Sequence, residues 1–381
     1  MKKTAIQRLN IFGQSIWLDN INRAMIESGQ LEKMIGLGLM GMTSNPTIFD
    51  NAIGSSSDYD NEIAKLSKAG RSAFEIYDDL TVRDVQDAAD LFLPVHNKSK
   101  GMDGYVSLEI NPLLSYRTED TIKEGKRLHE KVDRPNVMLK VPATEQGFAA
   151  VEKLIACGIN INVTLIFSVE QYLNTAVAYI KGLENFLESG GDVSSVRSVA
   201  SVFVSRVDSV CDKRLEEVIA TEENEDFVKE CEFLKGRAAV ANANLIYKEY
   251  QNIISSTRFY RLRQKGGSIQ RVLWGSTSTK NPAYSDIKYV EELIGKSTVN
   301  TIPDKTFEAV LDHGKVKEAL TADDSEAQKI IVGLKKHQID IKEVCRELLE
   351  AGVSSFESSF ESLLRTIETK RGRLSSVRQL K

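Results

Sequence analysis

The 381-residue chain lacks several features that would each point to a particular class of protein. It has only four cysteines, Cys157, Cys211, Cys231 and Cys345, and no two of them form a C-x-x-C pair. Scattered thiols in a chain of this size read as reduced cysteines of a cytoplasmic protein, not as a disulfide framework. No run of about 18 uncharged apolar residues is present, so no membrane-spanning helix is expected. The N-terminus, Met1-Lys2-Lys3-Thr4, continues into polar residues and not into an apolar secretory core. A formal net charge of -4 supplies no broad basic surface for nucleic acid or membrane. The histidines (His96, His129, His313 and His337) have no metal-ligand spacing and no serine or cysteine nucleophile close by in sequence, so no metal site is expected. Internal repeats, low-complexity tracts and proline-rich linkers are also missing, which leaves nothing to mark a domain boundary.

What is present is a chain that is 41% hydrophobic and 27% charged, enough to bury a large core. Short strand-like runs alternate with longer amphipathic ones, the pattern of a parallel α/β architecture. Eight strands are expected: Ser15–Leu18, Gly41–Ser44, Tyr105–Ile110, Val137–Val141, Ile159–Ile166, Val199–Val204, Arg271–Trp274 and Val299–Ile302. Helices are expected over Asp58–Lys68, Arg71–Leu93, Glu119–Val132, Glu145–Cys157, Val169–Glu188, Arg206–Tyr250 and Ala283–Ile294. The count suits a (β/α)₈ TIM barrel, although a doubly wound open sheet would match it too. After the last strand, Val344, Leu348, Val353, Phe356, Phe360, Leu363 and Ile367 form an apolar stripe at helical steps. The expected organisation is one barrel domain over residues 1–381. A helical extension spans about 304–370, and a basic tail, 371–381, is expected to fray.

Barrel strands alternate between the surrounding helices and the barrel axis. In Val137–Pro142 the apolar Val137, Leu139 and Val141 share the outer face, which leaves Lys140 on the axis. The same parsing turns Glu109 inward, and it sets Ile161, Val163 and Leu165 outward with Asn160, Asn162 and Thr164 inward. Asp19 alternates with Ile16 and Leu18, Asn45 closes Thr43-Ser44-Asn45-Pro46, and Ser201 shares a face with Phe203. Singly, each has a structural reading: Lys140 with Glu109 as a buried ion pair, Asn45 as a turn residue before proline. Together they bring polar groups from six strands to one axis, mostly near the C-terminal strand ends where barrel enzymes build their sites. Unpaired buried polar groups cost about 1–3 kcal/mol each, so such a ring is a site and not core.

One motif misleads. Gly36-Leu37-Gly38-Leu39-Met40-Gly41 matches G-x-G-x-x-G, the letters of a dinucleotide-binding loop and the basis of an alternative NAD-dependent oxidoreductase reading. That fingerprint must follow a strand and open a helix. This stretch follows a helix-like segment and leads into a strand.

In order along the chain, Thr43-Ser44-Asn45-Pro46-Thr47-Ile48-Phe49, Val137-Met138-Leu139-Lys140-Val141-Pro142-Ala143-Thr144 and Gly158-Ile159-Asn160-Ile161-Asn162-Val163-Thr164-Leu165-Ile166-Phe167-Ser168 resemble the transaldolase family. Ser15–Asp19, Trp274–Lys280 and the helical extension resemble its longer bacterial subgroup. The resemblance implies a cofactor-free transferase acting on sugar phosphates, in the cytoplasm and in the non-oxidative pentose phosphate pathway. It implies that Lys140 forms an imine with a ketose, that Glu109 and Thr164 hold the water that shuttles protons, and that Asp19 takes the C4 hydroxyl proton. Asn45, Asn162 and Ser201 would then hold the three-carbon unit, with Phe203 beside it, and Arg206, Ser278 and Lys280 would hold the phosphate. Many family members carry arginine where this chain has Lys280, which gives up a bidentate grip. A class I fructose 6-phosphate aldolase is the nearest alternative, against which Glu109 and Phe203 argue, since those enzymes carry Gln and Tyr there. A lysine attacks a carbonyl only as the free amine, so a neighbouring carboxylate must stand off by a water or share a proton; the sequence leaves that open, as it does monomer against homodimer.

Overall fold

The computed structural model describes residues 3–379, with side chains described as far as Leu374. Eight parallel strands close into a barrel in simple chain order. They are β1 (Gln14–Asp19), β2 (Gly41–Thr43), β3 (Val106–Glu109), β4 (Val137–Pro142), β5 (Ile161–Ile166), β6 (Ser198–Phe203), β7 (Arg271–Gly275) and β8 (Thr298–Ile302). Each coincides with an expected strand. Closure is made by β1 against β8, with Trp17 opposite Thr301, and it excludes the open-sheet alternative.

The barrel interior is layered. At the N-terminal end, Asp103 receives Arg271 (2.7 Å), the Ser15 hydroxyl (2.9 Å) and the Trp17 indole N–H (3.1 Å). Above this lies a small apolar layer of Trp17, Tyr105, Met138, Val199, Leu273 and Val299, distinct from the larger core between barrel and helices. Gly41 belongs to this layer because a Cβ there would stand 2.6 Å from the Trp17 ring. Polar side chains fill the C-terminal end.

Local chemistry fixes how each strand hands over to its helix. Asn45 caps helix Pro46–Ser55 by accepting from Ile48 N (3.0 Å), and Pro46 occupies the first helical position. Thr144 caps helix Glu145–Ile155 through Gly147 N (2.9 Å), where a Cβ on Gly147 would collide with Pro142 O at 2.0 Å. Ser168 and Gln171 form a capping box, and Gln171 Nε2 also donates to Ala143 O and Leu165 O, each at 3.1 Å. The motif residues near 142–147 and 164–171 therefore lock the ends of β4 and β5 together.

Several expectations need correction. The stretch 206–250 is three helices, Ser205–Ile219, Glu225–Leu234 and Ala238–Ser255, because Asn224 caps a new start and Gly236 turns left-handed (φ 68°) against Tyr284. Residues 283–294 keep only one helical turn, Lys288–Glu291; Tyr284 is drawn away to Asp212 (2.8 Å) and Thr279 closes on Ser285 O (2.7 Å). Leu165 packs outward against the C-terminal helix as expected, but not in regular strand geometry: it has φ 59°, and the pairing of β5 with β6 slips between Val163 and Ile166. Asn160 precedes β5 and ties strand bottoms together, donating to Pro135 O (3.0 Å) and accepting from Arg197 N (2.8 Å). Helix Ala5–Phe12, begun by a Thr4–Gln7 capping box, was not expected.

Gly36–Gly41 links helix Gln30–Gly36 to β2, so it is a helix-to-strand loop with the wrong polarity for dinucleotide phosphates. The C-terminal helix runs Ile341–Gln379 and carries the apolar stripe against the barrel. The basic tail continues this helix to Gln379; Met1, Lys2, Leu380 and Lys381 lie outside the described residues. Among the described residues no helix is long and apolar enough to cross a membrane.

Candidate active site

A cavity of about 280 Å³ opens at the C-terminal end of the barrel. Nine of the eleven residues singled out from sequence line it: Asp19, Asn45, Lys140, Thr164, Ser201, Phe203, Arg206, Ser278 and Lys280. Glu109 and Asn162 stand directly behind that lining. Strand register explains the grouping, for Glu109 pairs with Lys140 and Lys140 with Asn162 on three consecutive strands. Alternation then turns all three toward the axis.

Lys140 is 4% exposed. Its Nζ donates to Ser44 O (2.9 Å) and lies 2.8 Å from Glu109 Oε2. The question left open by the sequence is answered by direct contact. Glu109 Oε2 is thus ion-paired with the amine, whereas among the described residues Thr164 Oγ1, which lines the same cavity, has no hydrogen-bond partner. Buried polar atoms are normally satisfied, so an unpartnered hydroxyl in the wall suits a bound water. Burial pushes the Glu109 carboxyl above its ordinary range; the Lys140 charge opposes that shift and Asp19 adds to it.

Asp19 accepts from Thr43 Oγ1 (3.0 Å), which is 2.8 Å from Thr301 Oγ1. Its carboxyl is also raised, chiefly by burial, with Lys140, the Thr43 hydrogen bond and Lys280 pulling the other way. Asn162 is fully buried, donating from Nδ2 to Ser107 Oγ (3.1 Å) and accepting from Ser201 Oγ (2.6 Å) on Oδ1. It holds Ser201 in place from behind the wall. Asn45 both caps its helix and faces the cavity, so its turn role and its site role coexist.

At the mouth the Arg206 guanidinium lies over the Phe203 ring, 5.3 Å from its centre. Among the described residues it has no hydrogen-bond or ion-pair partner, and burial holds its pKa below the ordinary value, with Asp19 opposing. A half-buried guanidinium turned to a cavity at the start of helix Ser205–Ile219 suits a bound anion. Lys280 is exposed at the rim, its Nζ donating to Ser278 Oγ (2.7 Å). Phe203 also packs on Phe167, ring centres 5.5 Å apart, which makes that part of the wall apolar.

The family model for transaldolase/fructose-6-phosphate aldolase matches residues 16–367. The chain belongs to this family. It is 45% identical to a transaldolase of Trichodesmium erythraeum over 96% of this chain and 97% of that protein. Identity with transaldolase 2 of Nostoc punctiforme is 43%, over 99% of this chain and all of that protein. A transaldolase of Saccharopolyspora erythraea is 43% identical over 95% and 96% of the two chains.

Sequence reasoning missed Thr43, Thr301 and Phe356, all of which line the cavity. The first two were accessible from alternation along β2 and β8. Phe356 read only as part of the apolar stripe. The histidines take no part in this lining; His337 meets Cys231 from far away in sequence (Nδ1–Sγ 3.2 Å), but burial pushes that thiol up and the pair is outside the cavity wall.

Proposed function

We propose that this protein is a transaldolase that moves a dihydroxyacetone unit between sugar phosphates through an imine on Lys140. The donor is sedoheptulose 7-phosphate or fructose 6-phosphate, and the acceptor glyceraldehyde 3-phosphate or erythrose 4-phosphate, as in the non-oxidative pentose phosphate pathway. The observation that carries the reading is the buried Lys140 amine, paired with Glu109 and facing a cavity that also holds an unpartnered Thr164 hydroxyl and an unpaired arginine at its rim. Four unpaired cysteines suit a cytoplasmic setting.

The amine adds to the ketose carbonyl and loses water to give a protonated imine, with Glu109 and a water held at Thr164 passing the protons. Asp19 takes the proton of the C4 hydroxyl. The C3–C4 bond then breaks, its electrons move toward the imine, and the aldose phosphate leaves. The remaining enamine attacks the acceptor aldehyde, Asp19 returns its proton to the new alkoxide, and water releases the product from Lys140. Ser201, seated by Asn162, together with Asn45 holds the three-carbon hydroxyls, and Arg206 with Ser278 and Lys280 binds phosphate. The family's description joins transaldolase with fructose-6-phosphate aldolase; the apolar Phe203–Phe167 wall favours transfer, since it offers the enamine no proton.

Borohydride with fructose 6-phosphate should fix a three-carbon unit on Lys140 and inactivate the enzyme, and Lys140→Met should abolish labelling with the fold intact. Mass mapping reads the site. Labelling that survives in Lys140→Met would refute the mechanism.

A further inference from the structure

Among the described residues lining the cavity, Phe356 is the one that comes from neither a barrel strand nor the segment following a strand. It belongs to the C-terminal helix, is 5% exposed, and its ring centre lies 5.7 Å from Lys140 Nζ, which stands over the ring face. The helix holds it there on two sides. Ser359 Oγ meets Thr47 Oγ1 (2.8 Å) and Thr366 Oγ1 donates to Asp50 (3.1 Å), both partners lying on helix Pro46–Ser55, which Asn45 caps. One turn beyond, Phe360 packs edge-on against Tyr77 (5.1 Å) and Phe74 (6.4 Å), away from the cavity.

We propose that Phe356 is a specificity-determining residue that roofs the Lys140 nitrogen and sets whether the bound three-carbon unit is transferred or hydrolysed. The proposal rests on the imine chemistry above. A ring face near a cationic nitrogen favours the cation, and the ring offers no proton and excludes water from one side. Hydrolysis begins when the enamine carbon takes a proton from water, giving the protonated imine and hydroxide. Water then adds to C2 with loss of a proton. The C–N bond of the resulting carbinolamine breaks, Lys140 recovers its amine, and dihydroxyacetone leaves. The first step alone separates release from transfer, and it needs water beside the bound three-carbon unit, which the Phe356 ring obstructs from one side.

The test compares wild type, Phe356→Leu, Phe356→Met and Phe360→Leu. Release of free dihydroxyacetone from fructose 6-phosphate is measured without acceptor, and transfer is measured with erythrose 4-phosphate. Borohydride labelling of Lys140 is run on every protein. Phe356→Leu should raise the ratio of release to transfer several-fold, and Phe356→Met, closer in volume, should raise it less. Phe360→Leu should lower thermal stability and leave the ratio as in wild type. An unchanged ratio in both Phe356 variants, with labelling intact, overturns the roof and leaves the imine mechanism standing. The same rise in Phe360→Leu overturns it too, because loosened helix docking would then be the cause. No labelling in wild type defeats the underlying mechanism instead.

Discussion

At the scale of single residues, the site is governed by which charges have partners. Lys140 has Glu109, Asp19 has Thr43, and Arg206 turns an unpaired guanidinium to the cavity. A charge-assisted hydrogen bond contributes about 1.5–3 kcal/mol. Arg206→Ala should therefore raise KM for phosphorylated ketoses by roughly tenfold to a hundredfold, and barely change it for unphosphorylated analogues. Lys280→Ala should act the same way but more weakly, since Lys280 is exposed and an ammonium would meet phosphate only as a point charge. Equal penalties on both substrate types would remove phosphate from their roles. Asp19 carries a pH consequence. As the proposed base it must be a carboxylate, and burial raises its pKa, so as pH falls it takes up its proton sooner than an ordinary aspartate and could no longer accept one from substrate. The acid limb of kcat/KM, followed on an unphosphorylated ketose to keep phosphate titration out, should lie above the ordinary carboxylate range of about 4. A limb at or below that range would show that neither Asp19 nor the similarly raised Glu109 controls the rate.

At the scale of elements, legibility in the sequence followed how local each signal is. The eight strands were readable because apolar alternation and punctuation lie within a few residues, and so was the inward turn of Lys140, Glu109, Thr164 and Ser201. What alternation could not supply was the slip at Leu165, with its φ of 59°. Such a conformation costs about 1–3 kcal/mol and persists only where surroundings hold it. Gln171 Nε2 donates to the Leu165 carbonyl (3.1 Å), and the C-terminal helix packs on its side chain across a large sequence distance: a Cβ on Gly352 would come within 3.0 Å of Leu165 Cδ2 and 3.7 Å of Phe167. The same distance hid Phe356, since a stripe predicts that a helix packs without saying on what. Gly352→Leu should force the helix off this contact, at about 1–3 kcal/mol for overpacking. Because Phe356 lies one turn further on, kcat should fall in the same variant. Urea unfolding and saturated rates measure the two effects; wild-type values of both would mean that the close approach at Gly352 constrains nothing.

At the scale of the whole molecule, the barrel assigns its two ends to different tasks. The C-terminal end carries the cavity and its unsatisfied groups, while the N-terminal end is closed by Asp103 with Arg271, Ser15 and Trp17, each bond satisfied and each partner buried. In barrels of this kind the first end is where chemistry is built and the second is where stability is held. The apolar layer of Tyr105, Met138, Leu273 and their neighbours separates the two, so a change below should reach the site only through unfolding. Asp103→Ala removes the partner of a buried guanidinium, a loss that costs about 3–5 kcal/mol. Asp103→Asn keeps the shape and loses the charge, and should fall between that variant and wild type. Both should lower the urea midpoint while kcat/KM per folded molecule stays at the wild-type value. Lys140→Met should instead abolish turnover per folded molecule, whatever it does to the midpoint, because it removes the nucleophile itself. An Asp103 variant that loses activity while still fully folded would show that the apolar layer transmits strain to Lys140, and that the two ends do not act independently.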